Sequence, residues 1–354
     1  MKKYTLLLII CIICLLSGCN AGNTEYKMNS AVDLKDLIEP GEELTCAYAD
    51  SSSIILSIGN RNGKVIGPLV DTDRLLLKNY SDGSSSTLKL ETEAYIINAI
   101  PYNDGLLYST YVLEDDLYRW SVIYESDNER ISIDEGTCSD CTYVPGFAMV
   151  NDRICYLSIN KAGESWEQSV KLLTGYRSDA IFSVELESVS EPRFFSNGKE
   201  YCFIADTSGP AEYFIGTEEG ITLRGGIEGE ISSFGINDSY MVIGTVDEGE
   251  DFDKPYIFAI DLSSGETNSV PSEVISYRIA GSGNEFLCVD SEFSVFALDT
   301  TGKDLAWKQI SEFGDFDITN NPVLFFSAGD GKFVCEITGS SDGGNEKEYI
   351  CIGK

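Results

Sequence analysis

From Glu43 onward the chain is written in short β-rich runs separated by polar turns, and no long stretch carries apolar residues at helical spacing. One unit recurs: a β-rich run, a turn of Asn, Asp, Gly or Ser, then a more apolar run. Aligned on the turn, its copies are 46–56, 99–108, 147–156, 194–203, 234–243 and 279–288, with a fainter seventh at 318–326. In the clearest of them, Phe234-Gly-Ile is followed by Asn237-Asp-Ser and then by Tyr240-Met-Val-Ile243. A period of roughly 40–50 residues accommodates four short strands, the signature of a β-propeller blade.

The stretch after each pair supplies the remaining strands. Glu212–Gly216 and Ile221–Leu223 complete one unit, Tyr256–Asp261 and Thr267–Val270 a second, and Phe293–Leu298 with Leu305–Ile310 a third. The second runs alternate poorly between apolar and polar, as strands covered on both faces do. A β-sandwich pair does not explain seven similar units, and a β-helix repeat is much shorter. The expected fold is therefore all-β, a propeller of four-stranded blades. Seven blades are predicted, with six or eight as alternatives, because five candidate strands between 44 and 93 could shift the closing register.

One unit carries a family resemblance. Glu191-Pro-Arg-Phe-Phe-Ser-Asn-Gly-Lys-Glu-Tyr-Cys-Phe-Ile204 resembles the WD40-like repeat of TolB-type propellers through Pro192, Phe194 or Phe195, Ser196, Gly198, Lys199 and Phe203. Asn197 stands where that family usually has Asp, and the family's second proline is missing. The resemblance implies a propeller and a habit of binding other proteins, and it brings no catalytic residue.

The first residues read as an address. Met1-Lys-Lys3 precedes an apolar run from Leu6 to Leu16, too short for a permanent membrane span of about 20 residues. Leu16-Ser-Gly-Cys19 follows and resembles the bacterial lipobox. That resemblance implies removal of residues 1–18, lipidation of Cys19, and a protein held by its acyl chains on the extracytoplasmic face of a membrane. Acyl chains supply about 0.8 kcal/mol per buried CH₂. Residues 19–42 then read as a lipidated tether carrying a short helix, capped by Ser30-Ala-Val-Asp33 and ending before Pro40, with Val32, Leu34, Leu37 and Ile38 available to dock it. The propeller domain is expected over 43–354.

Composition narrows the chemistry. The 354 residues are 43% hydrophobic and 23% charged, which is that of a folded chain, and the net charge is -33. Of 25 basic residues, two leave with the signal, so 23 would face 58 acidic ones. Phosphate backbones are repelled by such a surface, which argues against a nucleic-acid partner. The absence of histidine removes Ser-His-Asp and Cys-His nucleophiles and His-ligated metals. No Gly-rich phosphate loop follows a strand, and no cofactor is expected.

Several constellations stand out against this background. Cys155, Cys202, Cys288 and Cys335 fall in apolar runs and read as small buried hydrophobes. Cys138-Ser-Asp-Cys141 lies between units and reads as a loop disulfide or as thiols; zinc and redox roles lack their partner residues. Asp247, Glu250, Asp251 and Asp253 crowd one inter-strand loop that could hold Ca²⁺, although the spacing is not that of an EF-hand. Glu191, Arg193, Glu230, Tyr277, Arg278 and Asp317 fall near the starts of innermost strands and form a candidate tunnel mouth for a sugar or a peptide end. Trp120, Trp166 and Trp307 sit in outer halves of their units and read as packing residues. The expectation is a tethered protein-binding or scaffold module without enzymatic activity. The alternative is a carbohydrate-binding or glycoside-active propeller using its tunnel.

Overall fold

The computed structural model describes residues 26–32, 34, 37–39, 41–61, 70–80, 82–96, 98–114, 117–139, 145–186, 194–205, 210–246, 255–270, 278–290, 292, 294–302, 305–310, 312–313, 316–317, 323–341 and 344–353. Strand β1 (Lys27–Ala31) comes first. Blade 1 follows as β2 (Glu42–Ala49), β3 (Ser53–Arg61), β4 (Val70–Asn79) and β5 (Ser85–Ala94). Blade 2 is β6 (Asn98–Tyr102), β7 (Gly105–Glu114), β8 (Leu117–Glu125) and β9 (Arg130–Cys138). Blade 3 is β10 (Gly146–Val150), β11 (Arg153–Ala162), β12 (Ser165–Thr174) and β13 (Arg177–Leu186). Blade 4 is β14 (Phe194–Ser196), β15 (Tyr201–Ala205), β16 (Glu212–Thr217) and β17 (Gly220–Gly226). Blade 5 is β18 (Glu230–Ile236), β19 (Tyr240–Val246), β20 (Pro255–Asp261) and β21 (Thr267–Val270). Blade 6 is β22 (Arg278–Ser282), β23 (Glu285–Val289), β24 (Val295–Asp299) and β25 (Trp307–Ile310). A two-stranded ribbon, β26 (Glu312–Phe313) and β27 (Phe316–Asp317), precedes β28 (Val323–Ser327), β29 (Lys332–Ser341) and β30 (Gly344–Gly353).

Each of blades 1 to 6 is an antiparallel sheet in chain order, and the first strands touch their neighbours in turn from blade 1 to blade 7. The seventh blade is completed from the other end of the chain, in the order β28-β29-β30-β1, with Lys27 opposite Gly353 and Ala31 opposite Ile350. The molecule is a seven-bladed β-propeller. The region from 44 to 93 supplies the four strands of blade 1 and lends none to the closure.

The structure departs from the sequence reading at both ends of the ring. Ser30 and Ala31 are strand, so the capped helix does not start there, and the propeller takes in residues ahead of 43. Pairing with β30 satisfies the backbone of this segment along a whole strand, where a cap would have satisfied one turn. Val32, Leu34, Leu37 and Ile38 do pack on the domain, in the cluster that holds Leu44, Leu56 and Tyr349 at the junction of blades 7 and 1. The seventh copy of the repeat lies one strand later than its Asn-rich stretch suggests. Val323–Ser327 is the innermost strand of its blade, and the turn that follows it is Ala328–Gly331.

The core is divided into seven apolar clusters, one at each blade-to-blade junction. The second strands serve two of them at once. Tyr201, Phe203 and Ala205 of β15 face blade 3, while Cys202 and Ile204 of the same strand face blade 5. In β23, Leu287 and Val289 face blade 7, and Phe286 and Cys288 face blade 5. Period-two side chains split between two dry faces leave no polar position, which is why these runs look uniformly apolar. Blade contact is close enough at Gly281 of β22 that a Cβ would overlap the Ile236 carbonyl oxygen of blade 5.

The polar turn that repeats along the sequence joins neighbouring blades. In blades 4 and 5, Asn197 Oδ1 accepts from the N–H groups of Lys199 and Glu200, and Asn237 Oδ1 from those of Ser239 and Tyr240. These are Asx turns, which fold the hairpin locally. The other side of each amide reaches the next blade: Asn197 Nδ2 donates to Asn237 O at 2.9 Å, and Asn237 Nδ2 to Thr300 Oγ1 at 3.0 Å. The backbone joins the same seam, with Asn151 N donating to Gly198 O and Asp238 N to Gly283 O. Asn237 is fully buried, so Asn237→Ala strands two hairpin N–H groups and removes the bond to Thr300, whose hydroxyl keeps its own donation to Asn284 O. At ~1–3 kcal/mol per buried group left unpaired, the variant should lose about 2–5 kcal/mol, read as a lower urea midpoint with unchanged slope.

Candidate binding face

Antiparallel blades give the propeller two unlike faces. One bears the turns between first and second and between third and fourth strands, such as Asn237-Asp-Ser239 and Glu218-Glu219; we call it the short-turn face. The other bears the connections between second and third strands and those between blades, and the innermost strands begin there; this is the long-connection face.

The candidate tunnel mouth belongs to the long-connection face. Glu230 opens β18 opposite Val246 and is exposed. Arg278 opens β22 opposite Val289, also exposed, with its guanidinium 5.3 Å from the ring centroid of Phe326 in blade 7, a cation–π contact between blades. Asp317 differs from expectation: it lies in the β26–β27 ribbon opposite Glu312, ahead of β28, and not at the start of an innermost strand. Glu191, Arg193 and Tyr277 lie outside the described residues. So do Asp247, Glu250, Asp251, Asp253 and Cys19, the residue expected to carry a lipid. Among the described residues, no three or more Cys, Asp or Glu side chains are grouped to hold a metal ion.

Cys138 is the last residue of β9 and is buried in the core between blades 2 and 3, with Sγ 3.6 Å from Tyr118 O. The CxxC therefore begins in a strand and not on a loop; Cys141 is outside the described residues. Cys155, Cys202, Cys288 and Cys335 are all buried on second strands, as expected. Burial pushes the Cys155 thiol up to about 12 and raises those of Cys202 and Cys335 further, which keeps them protonated and poor nucleophiles. Trp120 is fully buried and donates Nε1–H to Ile159 O at 2.9 Å, a packing role.

Two surface features were not apparent from sequence. On the long-connection face, β7 and β8 run past the end of β6, whose last partner on β7 is Ser109. Val112 and Leu113 near the tip are 52% and 62% exposed, far more than any core aliphatic. The two side chains point to opposite faces of the hairpin; on the face of Leu113, Tyr95 stacks on Tyr111 at 5.1 Å, and Tyr111 meets Tyr118, the cross-strand partner of Leu113, edge-on at 5.4 Å. Exposure of a strand end depends on its neighbour's length, which local sequence does not report. On the short-turn face, Tyr102, Tyr124 and Tyr176 form a second aromatic group tied to acids. Tyr124 OH donates to Asp104 at 2.5 Å and Tyr176 OH to Glu129 at 2.9 Å. The three rings pack against one another, and Tyr176 stays exposed at the rim of the group.

A polar notch of about 320 Å³ lies between blades 4 and 5 on the short-turn face, lined by Glu200, Asp238, Ser239, Asp261, Leu262 and Ser263. Asp261 is held below the usual carboxylate range by Ser263 and by backbone N–H groups, and Glu200 is pushed up by burial against the pull of Lys199. The Asp261 oxygen is spent on its own turn, accepting from Ser263 N, Ser263 Oγ and Ser264 N.

No protein-family model matches the chain, and no curated protein matches it in sequence. Solved structures match in fold. An oligogalacturonate lyase in complex with manganese is 11% identical over 89% of this chain and 90% of its own, with a TM-score of 0.53. The polysaccharide lyase Uly1 is 10% identical over 92% and 97%, with a TM-score of 0.50. The β-propeller domain of the Trilobed protease from Pyrococcus furiosus is 14% identical over 70% and 78%, with a TM-score of 0.49. At these identities the shared property is the propeller fold.

Proposed function

We propose that this propeller is a lipid-anchored, extracytoplasmic binding module that docks a protein partner on its long-connection face and catalyses no reaction itself. The observation that carries the reading is the exposed end of the β7–β8 hairpin, where Leu113 shares a face with Tyr111 and Tyr118 and Val112 is exposed on the other face. Exposed apolar groups with an aromatic support and a polar surround are what protein interfaces are built on. The lipobox-like Leu16-Ser-Gly-Cys19 supplies the anchor, and the excess of 58 acidic over 25 basic residues selects a partner whose apolar segment is bordered by Lys or Arg.

The test is cross-linking on intact cells followed by affinity capture, comparing the natural chain with Leu113→Asp and Cys19→Ala. Leu113 is exposed, so its replacement should leave the melting temperature within about 2 °C, an effect of under ~0.5 kcal/mol. One protein captured by the natural chain and lost at least tenfold in Leu113→Asp is the expected result. Equal capture by both would remove the hairpin from the interface. The second reading, a carbohydrate-binding or glycoside-active propeller, is supported by the activities of the two lyases of similar fold. Binding or cleavage of envelope glycans by the soluble domain would favour it.

A further inference from the structure

We infer that the N-terminal lipid holds the short-turn face of the propeller against the bilayer, so that the long-connection face with Val112 and Leu113 points away from the membrane. This rests on the lipid anchor proposed above and adds the orientation. The chain enters the fold at Lys27, the first residue of the outermost strand of blade 7. Lys27 is opposite Gly353 on β30, and Gly353 is opposite Lys332, the first residue of β29 after the Ala328–Gly331 turn. The entry point is therefore at the short-turn end of blade 7.

The tether is too short to reach the other end. Tyr26 is already fixed, fully buried with its hydroxyl donating to Glu285 of blade 6 at 3.0 Å. From Cys19 to Tyr26 the chain spans at most about 25 Å, taking ~3.5 Å per residue. The ten residues of β29 carry blade 7 about 34 Å from that end to the opposite one, at ~3.4 Å per residue. A lipid at Cys19 can thus lie beside the short-turn end of blades 7, 6 and 1 and cannot lie over the long-connection face.

Lys27 is exposed and shares a cross-strand row with Lys332, which gives this corner two ammonium groups in a chain of net charge -33. Asp50, Asp299 and Asp330 stand in the neighbouring turns, so the corner holds two cations against three anions. Both faces are acidic at their turns, with Glu228, Glu230, Asp290 and Glu292 on the long-connection face and Asp104, Glu129, Glu218 and Asp238 on the short-turn face, so the reach of the tether sets the orientation.

The buried thiols make the test practical, because folded-state labelling goes to a cysteine placed on the surface. In a Cys141→Ser background, Ser84→Cys marks the short-turn end of blade 1 and Asn60→Cys the long-connection end of the same blade; both positions are exposed. The lipidated protein is labelled with a donor dye and bound to vesicles of phosphatidylcholine and phosphatidylglycerol (3:1) carrying a headgroup acceptor. Energy transfer from position 84 should exceed that from position 60 by at least twofold. Equal transfer, or more from position 60, with vesicle binding intact overturns the orientation and leaves the anchor standing. If Cys19→Ala stays on membranes as well as the natural chain does, the anchor falls and the orientation with it.

Discussion

A chain that begins at Val32 instead of Asn20 is expected to lose a large part of its stability, about 4–8 kcal/mol, although no residue of blades 1 to 6 is touched. Three losses combine. Tyr26, fully buried among Leu287, Val323 and Phe333, leaves a cavity; removal of a large buried aromatic costs ~3–5 kcal/mol. Its hydrogen bond to Glu285 goes as well, and Glu285 is itself 6% exposed, so a buried carboxylate loses a donor at ~1–3 kcal/mol. The backbone of β30 also becomes an open edge from Ile350 to Gly353. Urea titration of a graded series checks this: midpoints should fall in the order natural chain, Tyr26→Phe, Tyr26→Ala, truncated chain. A truncated chain within ~1 kcal/mol of the natural one would show that the ring does not depend on its closing strand. The same chain should self-associate with rising concentration, because the bare β30 edge pairs with a second copy.

Raising the pH should unfold the protein within about one to two units above pH 10. Five of the buried tyrosines among the described residues have their phenols raised well above the usual value chiefly by burial: Tyr26, Tyr108, Tyr156, Tyr201 and Tyr349. Burial is the main cause in each. A neighbouring anion adds to it: Asp299 for Tyr26, Glu125 for Tyr108, Asp134 for Tyr156 and Glu336 for Tyr349. A group whose pKa is higher in the folded state contributes stability in full below its unfolded value, near 10 for tyrosine, and loses it as the pH rises toward the folded value. Each such group removes ~1.4 kcal/mol per pH unit, so five remove about 7 kcal/mol per unit, against a typical total of ~5–15 kcal/mol. Stability measured from pH 7 to 12 should be level to about pH 9.5 and then fall steeply.

Tyr201 separates this cause from general alkaline damage. Its hydroxyl is buried and has no hydrogen-bond partner among the described residues. Tyr201→Phe should therefore be neutral or slightly stabilising at pH 7 and should move the alkaline midpoint upward. Tyr349→Phe should cost stability at pH 7, because its hydroxyl donates to the buried Glu336 at 2.6 Å, and still soften the alkaline slope. An unchanged alkaline midpoint in both variants would assign the transition to other groups.

How far the fold was legible follows from the range of the interactions involved. Asn197 and Asn237 mark their turns in the sequence because an Asx turn is made within three residues. Ala328–Gly331 marks its turn too, with Asp330 and its flanking glycines at positive φ, yet the more conspicuous Asn320-Asn321 draws the seventh copy one strand upstream. The candidate site was less legible. Glu230 and Arg278 do begin innermost strands, whereas Asp317 belongs to a ribbon that no local pattern announced. Cys138 looks like a loop residue because Ser139 and Asp140 follow it, but its strand reaches one residue further and buries it.

The sequence by itself determined that this is an all-β propeller of repeated four-stranded units, strongly acidic, without imidazole chemistry and with a lipobox-like start. Each of those properties is written in composition or in contacts a few residues apart. Only the tertiary structure decided how the ring closes and which face is open. Lys27–Ala31 is a strand because β30, at the far end of the chain, offers it an edge. Val112 and Leu113 are exposed because β6 stops short of them. Pairing of distant segments and the lengths of neighbouring strands depend on the whole ring at once, and no window of the sequence contains them.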